Sequence, residues 1–284
     1  MGKKDKQVIA IMYDFDKTLC TKNMQEYSFI PNVGLKPSDF WEMSEKLSKK
    51  EKMDGVLAYM RLMITEAMKH DISIHREDFV KLGSSLKFYN GVTEWFDRIN
   101  KYGQEKGVIV EHYIISSGLY EIIEGSSIFS KFKDVFACEF LYDVNGVACW
   151  PKNVVNYTTK TQFLFRINKG VTDLSDDKTL NEYTPENNRR VPFRNMIYIA
   201  DGLTDVPCMR LVKSNGGFSI AVYQSNKNSK EISKKLMVDD RVNFAVPANY
   251  TEGEKLDVLI KDIIDQMVIN EKLINLNEKQ KSKL

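Results

Sequence analysis

No apolar run in the chain reaches the roughly 18 residues that a membrane-spanning helix needs. The first residues, Met-Gly-Lys-Lys-Asp-Lys-Gln, lack the apolar stretch of a secretory leader. Gly2 is not followed by the Ser or Thr that a myristoylation signal has at its sixth position, where Lys6 stands. Cysteine is scarce: Cys20, Cys138, Cys149 and Cys208 are scattered with no C-x-x-C pair, which argues against a disulfide framework and for a reduced, cytosolic protein. Histidine is scarcer still. His70, His75 and His112 have no second His or Cys at metal-ligand spacing and read as structural. An excess of charge is missing too: 41 basic against 39 acidic residues leave +2, too little for a general grip on nucleic acid or a membrane surface. What remains is a chain of 284 residues, 43% apolar, long enough for one large core and one inserted domain, with a small-molecule site as the expected business end.

The informative stretch is Asp14-Phe15-Asp16-Lys17-Thr18, directly after the apolar run Val8 to Tyr13. That run has the length and composition of a buried parallel strand, so the two carboxylates stand at a strand's C-terminal edge, where open α/β sheets bind ligands. In a D-x-D turn the first Asp can attack a phosphorus centre, and the second can protonate the leaving oxygen and later deprotonate water. Two such close negative charges call for a cation, and magnesium would screen an incoming phosphate as well. An Asx turn followed by a Thr helix cap is the plainer reading of the same residues.

After this loop about seventy residues leave the sheet pattern. Ser38 to Lys50, Gly55 to His70 and His75 to Leu86 carry apolar residues at helical spacing, and an insert placed there can close over the Asp pair as a lid. A helix over Val92 to Gln104 and a second strand over Val108 to Ile115 follow. Ser116-Ser117-Gly118 ends that strand, where a hydroxyl and backbone N–H groups can hold a phosphoryl oxygen, or where the serines simply cap the next helix. Phe136 to Phe140 reads as a third strand leading into a hairpin that ends near Trp150, and Thr158 to Asn168 as a helix. Val171 to Arg190 is polar and reads as a surface excursion. Asn195 to Ala200 is a fourth strand that brings Asp201 and, four residues on, Asp205 to the same edge. Phe218 to Val222 and Val242 to Val246 are further strands, a helix runs from about Glu252 to Asn270, and the last dozen residues read as frayed. The chain ends Ser282-Lys283-Leu284, the tripeptide of a peroxisomal address in a eukaryote; in so Lys-, Asn- and Leu-rich a tail it reads as chance, and the cytoplasm is the expected compartment.

Taken jointly, DFDKT, the Ile114 to Gly118 segment IISSG, a helical lysine at Lys160 and the Ala200 to Asp205 segment ADGLTD resemble, in order, the four motifs of the haloacid dehalogenase superfamily, over Val8 to about Val246. The resemblance implies an α/β fold: a doubly wound, Rossmann-like parallel sheet with DFDKT central and an inserted helical cap. It divides the chain into a core of 1–20 and 88–284 and a cap of 21–87, the cap position of phosphoserine phosphatases. It implies a magnesium-dependent phosphatase acting on a small phosphorylated metabolite through an aspartyl-phosphate. In that scheme Asp14 is the nucleophile, Asp16 the acid and base, and Ser116, Ser117, Gly118 and Lys160 the phosphate cradle. Magnesium is bound by Asp14, Asp201 and the Asp16 main-chain carbonyl, with Asp205 supporting Lys160 or a metal-bound water. Spacing alone leaves Lys152 and Lys169 open beside Lys160. Asp16 favours a phosphatase or phosphotransferase over the family's ATPases and dehalogenases. Phosphoserine phosphatases carry a Glu nine residues after the nucleophile, whereas this chain has Asn23, which speaks against an amino-acid phosphate. Arg61 and Arg76, or an aromatic group of Tyr27, Phe29, Trp41 and Tyr59, are the cap residues available to meet a leaving group. A phosphotransferase, a phosphoprotein phosphatase and a binding protein with a silent site are the competing classes.

Overall fold

The computed structural model describes residues 6–283; Gly2 and Leu284, and with Leu284 the complete Ser-Lys-Leu tripeptide, lie outside the described residues. Its frame is one seven-stranded sheet: β1 (Val8–Tyr13), β2 (Ile109–Leu119), β3 (Asp134–Tyr142), β4 (Ala148–Asn153), β5 (Met196–Ala200), β6 (Phe218–Tyr223) and β7 (Phe244–Pro247). The spatial order is β4-β3-β2-β1-β5-β6-β7. Only β4 runs antiparallel, as the return arm of a hairpin with β3. The expected doubly wound sheet with β1 at its centre is what the chain forms. β1 and β5 are apolar from end to end and fully buried but for Val8, because helices cover both faces of a parallel sheet.

The helices are α1 (Phe29–Asn32), α2 (Pro37–Glu51), α3 (Gly55–Lys69), α4 (Arg76–Leu82), α5 (Val92–Glu105), α6 (Tyr120–Glu124), α7 (Lys160–Lys169), α8 (Asp177–Asn181), α9 (Val206–Ser214), α10 (Lys227–Val238) and α11 (Lys255–Lys281). α1 to α4 form the excursion between β1 and the rest of the sheet. Their inner face is aromatic: Phe29 packs on Phe40 and Phe79, and Phe79 stacks on Phe140 of β3 with centroids 5.5 Å apart. At the base of the excursion α4 meets α6 with no spare room, since a Cβ on Gly125 would stand 1.7 Å from the Val80 carbonyl oxygen.

Four details differ from the sequence expectation. β2 runs through the serines to Leu119, so neither serine caps α6, which has no side-chain cap at all. Thr18 caps no helix; its hydroxyl is buried without a partner, and the next helical turn begins at Met24. α10 was not anticipated, because only Ser233 and Leu236 of its twelve lysine-rich residues are buried. α11 does not fray after Asn270 but continues to Lys281, helped by strong helix formers and by Arg194 pairing with Glu271.

Strand register aims the site. Tyr13 lies level with Ile114 of β2 and with Ile199 of β5. One residue past Tyr13 is Asp14; two past the others are Ser116 and Asp201. Behind this edge a buried polar chain locks Tyr13. The Trp95 indole N–H donates to the Tyr13 hydroxyl at 2.8 Å, and Tyr13 lies 3.0 Å from His112 Nδ1. The Asn100 side-chain oxygen, 3.1 Å from His112 Nε2, can only accept, so the ring proton is on Nε2 and Nδ1 accepts from the Tyr13 hydroxyl. The ring is therefore neutral, and burial pulls its pKa down from 6.5 to about 3. The unfolded chain takes up that proton first, so this contribution to stability is complete above pH 6.5 and is lost as pH falls towards about 3. Urea midpoints measured from pH 7.5 down to about 4 are expected to fall, and His112→Gln, which has no proton to gain, is expected to flatten that slope. Equal slopes in the two proteins would contradict this assignment.

Candidate active site

Asp14 leaves β1 with its N–H still donating to the Ile199 carbonyl at 3.0 Å, so the loop starts clipped to β5. Lys17 then adopts φ 57°, the left-handed region that costs a non-glycine residue about 1 kcal/mol, and the loop turns back on itself. The Asp16 carboxylate is caught at 2.8 Å by the backbone N–H of Met24, the first residue of the excursion's opening turn.

Lys160, 1% exposed, enters from α7 and spans two carboxylates, 2.9 Å from Asp14 Oδ1 and 2.6 Å from Asp205 Oδ1. Asp205 is spoken for on both oxygens: Tyr198 donates to Oδ1 at 2.6 Å and Thr204 to Oδ2 at 2.9 Å. The rival lysines are elsewhere. Lys152 pairs with Glu139 at 2.8 Å, and Lys169 donates to the carbonyls of Leu180 and Glu182. Ser116 accepts from the Gly118 N–H at 3.0 Å, which leaves its hydroxyl proton free to donate.

The electrostatics follow from gathering four acids, Asp14 and Asp205 buried and Asp16 and Asp201 half-buried, near one buried ammonium. Burial first, and the Asp205 charge, raise the Asp14 pKa to about 6 despite the adjacent Lys160. Burial, then the Asp14 charge, raise Asp16 to about 8. Asp201 rises to about 7 for the same two reasons. Desolvation pulls Lys160 down, but Asp14 and Asp205 outweigh it and hold the ammonium charged. Carboxylate oxygens of Asp14, Asp201 and Asp205 all lie within 4.8 Å of one another. Asp205 already accepts three hydrogen bonds, from Lys160, Tyr198 and Thr204, so Asp14 and Asp201 are the freer donors for a metal. Hard oxygen donors in a pocket with surplus negative charge fit magnesium. The Asp16 carboxylate is not in that trio.

A cavity of about 530 Å³ opens over these groups. Its floor includes Asp14, Asp16, Ser116, Ser117, Gly118, Lys160 and Asp201, and its roof Trp41, Ser44, Glu45, Ser48 and Tyr59 from α2 and α3. Neither Arg61 nor Arg76 lines it, and Arg76 pairs with Glu124 at 2.7 Å. Of the four aromatic candidates only Trp41 and Tyr59 reach the wall; Phe29 is core, and Tyr27 bonds Thr21 at 2.8 Å. Asn23 is at the wall, its amide donating to Glu26, which also accepts from the Trp41 indole at 2.9 Å. Met24, Tyr198 and Thr204 escaped the sequence reading. Tyr198 had a signal, a phenol inside an all-buried strand that must find a partner; Met24 acts through its backbone and had none.

The model of haloacid dehalogenase-like hydrolases matches residues 11–210, and the chain belongs to that family. It is 32% identical over 278 residues to an uncharacterized protein of Borreliella burgdorferi, covering 88% of this chain and 94% of that one. Among solved structures it is similar to a haloacid dehalogenase family hydrolase of Salmonella enterica serovar Typhi, with a TM-score of 0.58, 13% identity and coverage of 91% and 72%. It is similar to a substrate-bound phosphoserine phosphatase, with a TM-score of 0.56, 14% identity and coverage of 90% and 99%. A probable phosphoserine phosphatase of Vibrio cholerae gives 0.58 at 12% identity, covering 94% of this chain and 67% of that one. These are likenesses of fold alone, and the architecture they share with this chain is that of the phosphoserine phosphatases. Among the described residues no helix is long and apolar enough to cross a membrane.

Proposed function

We propose that the protein is a magnesium-dependent phosphatase of small phosphomonoesters that works through an aspartyl-phosphate on Asp14. The observation that carries this reading is the convergence of Asp14, Asp16, Ser116, Lys160 and Asp201 on one cavity at the C-terminal edge of the central strand. Residues 1–20 and 88–284 act as the core and 21–87 as its cap. The Asp14 carboxylate attacks phosphorus while the bond to the leaving oxygen breaks. Asp16, its pKa raised to about 8 chiefly by burial, still carries a proton at neutral pH and passes it to that oxygen. Ser116 and Lys160 hold the phosphoryl oxygens. Water then attacks the phosphorus of the acyl phosphate, its proton goes back to Asp16, and the Asp14 carboxylate and phosphate part. Magnesium held by Asp14, Asp201 and the Asp16 main-chain carbonyl would supply charge neutralisation for the phosphate. Asp205 acts through Lys160, fixing where its ammonium points.

A roofed cavity of about 530 Å³ supports a compact substrate. With Asn23 in place of an acid, no arginine at the wall, and Glu45 and Lys49 of the roof paired with each other, O-phosphoserine is expected to be a poor substrate. Phosphate release from a panel of small esters should require magnesium and stop with EDTA, and simple alkyl phosphates should be turned over faster than O-phosphoserine. No release from any member, or release indifferent to EDTA, would overturn the reading and bring phosphoprotein substrates forward.

A further inference from the structure

The peptide unit between Ser117 and Gly118 is held at both ends. Its carbonyl accepts a hydrogen bond from the Tyr59 hydroxyl at 2.6 Å, across 58 residues of sequence. Its N–H donates to Ser116 Oγ at 3.0 Å. In a trans peptide the C=O and N–H point in opposite directions and cannot turn independently, so a force on one end sets the other. We infer that Tyr59, a roof residue on α3, is a positioning residue for phosphate: by holding the Ser117 carbonyl it aims the Gly118 N–H at Ser116 Oγ and so directs the Ser116 proton into the cradle.

The chain of groups is complete. Tyr59 donates to the carbonyl, the amide donates to the serine oxygen, and the serine hydroxyl has its remaining proton to give to a phosphoryl oxygen. Hydrogen bonds aligned in this way polarise one another in the same sense. Cys138 adds a weak thiol contact to the same carbonyl at 3.4 Å, from below in β3. A second cap residue reaches the next amide: the Leu119 N–H points to Met24 Sδ at 3.1 Å. Gly118 has no room for a side chain here, since a Cβ would stand 2.1 Å from the Met24 methyl. The Tyr59 ring meets Trp41 edge-on at 6.0 Å, which fixes its hydroxyl over the loop. The cap therefore organises the phosphate cradle as well as roofing it. The site is complete only while α3 is seated, which ties cradle formation to closure of the roof.

This inference rests on the proposed phosphate role of Ser116, and the test separates the two. Binding of inorganic phosphate to the magnesium-loaded protein is measured by calorimetry for the native chain, Tyr59→Phe, Ser116→Ala and the double variant, each first shown to melt cooperatively. Tyr59→Phe is expected to weaken phosphate about fivefold or more, the scale of one lost hydrogen bond in a buried chain. In the Ser116→Ala background the same change is expected to cost less than about twofold, because the group it positions is gone. Native affinity in Tyr59→Phe with weakened binding in Ser116→Ala would overturn the inference alone. An equal loss from Tyr59→Phe in both backgrounds would also overturn it, marking Tyr59 as a wall residue. Unchanged binding in Ser116→Ala would overturn the cradle and the inference with it.

Discussion

Asp14→Asn is expected to lower phosphomonoester hydrolysis by about 10⁴-fold or more, the scale on which enzymes lose rate when a covalent nucleophile is removed. The amide keeps the shape of the side chain and its reach to Lys160, so the cavity and its roof stay in place. What is lost is the anionic carboxylate oxygen that attacks phosphorus. The same change is expected to leave the melting temperature in EDTA unchanged or raised. Burial lifts the Asp14 pKa to about 6 even beside Lys160, which says that a negative charge at this position is disfavoured by its surroundings. A neutral isostere relieves that, the usual trade between an active site and the stability of its host. Thermal melts in EDTA, run beside the assay, separate loss of chemistry from loss of fold.

Lys160→Met is expected to fail in both respects. Its ammonium is sealed between Asp14 and Asp205 at 2.9 and 2.6 Å. Removing one partner of a buried ion pair costs about 3–5 kcal/mol, because the charges left behind stay desolvated. For a protein of this size that is roughly a 10 °C fall in melting temperature. Magnesium is expected to restore part of it by supplying positive charge to the same carboxylates. Activity is not expected to return with the metal, since no cation then sits on the side of the phosphoryl group that Lys160 occupies. Lys160→Arg is no rescue, because a planar guanidinium does not fit a sealed slot shaped for an ammonium. Melting curves of Lys160→Met with EDTA and with magnesium test this; a melting temperature matching the native chain in EDTA would show that the pair contributes nothing to the fold.

The parts of this site that were legible in the sequence are those encoded by neighbouring residues. DFDKT, IISSG and ADGLTD each place a polar side chain just past an apolar run, and β1, β2 and β5 bring those ends to one level. Lys160 was the lysine the sequence favoured, with Lys152 and Lys169 as rivals that spacing could not remove; Lys160 is buried beside Asp14, whereas the other two find partners outside the cavity. Contacts between distant segments left no local trace. The Tyr59 bond to Ser117 and the Met24 amide on Asp16 depend on how the excursion after β1 folds back, and a backbone N–H has no residue signature. α10 was missed for a different reason: a lysine-rich helix that buries little has a weak apolar period to read. The end of α11 has the same weak apolar period. The expectation ended α11 at about Asn270, just past its last buried residue, Met267, whereas Leu, Glu, Lys and Gln carry the helix on through their own propensity.

The central claim is that phosphorus passes through a covalent bond to Asp14. It is tested most directly by quenching the magnesium-loaded protein in acid during turnover of a small alkyl phosphate and mapping phosphate by mass spectrometry of its peptides. The account predicts phosphate on the peptide carrying Asp14, lost on treatment with hydroxylamine as an acyl phosphate must be, and none in Asp14→Asn. Steady turnover of native protein with no phosphorylated peptide, or with phosphate on another residue, would contradict it.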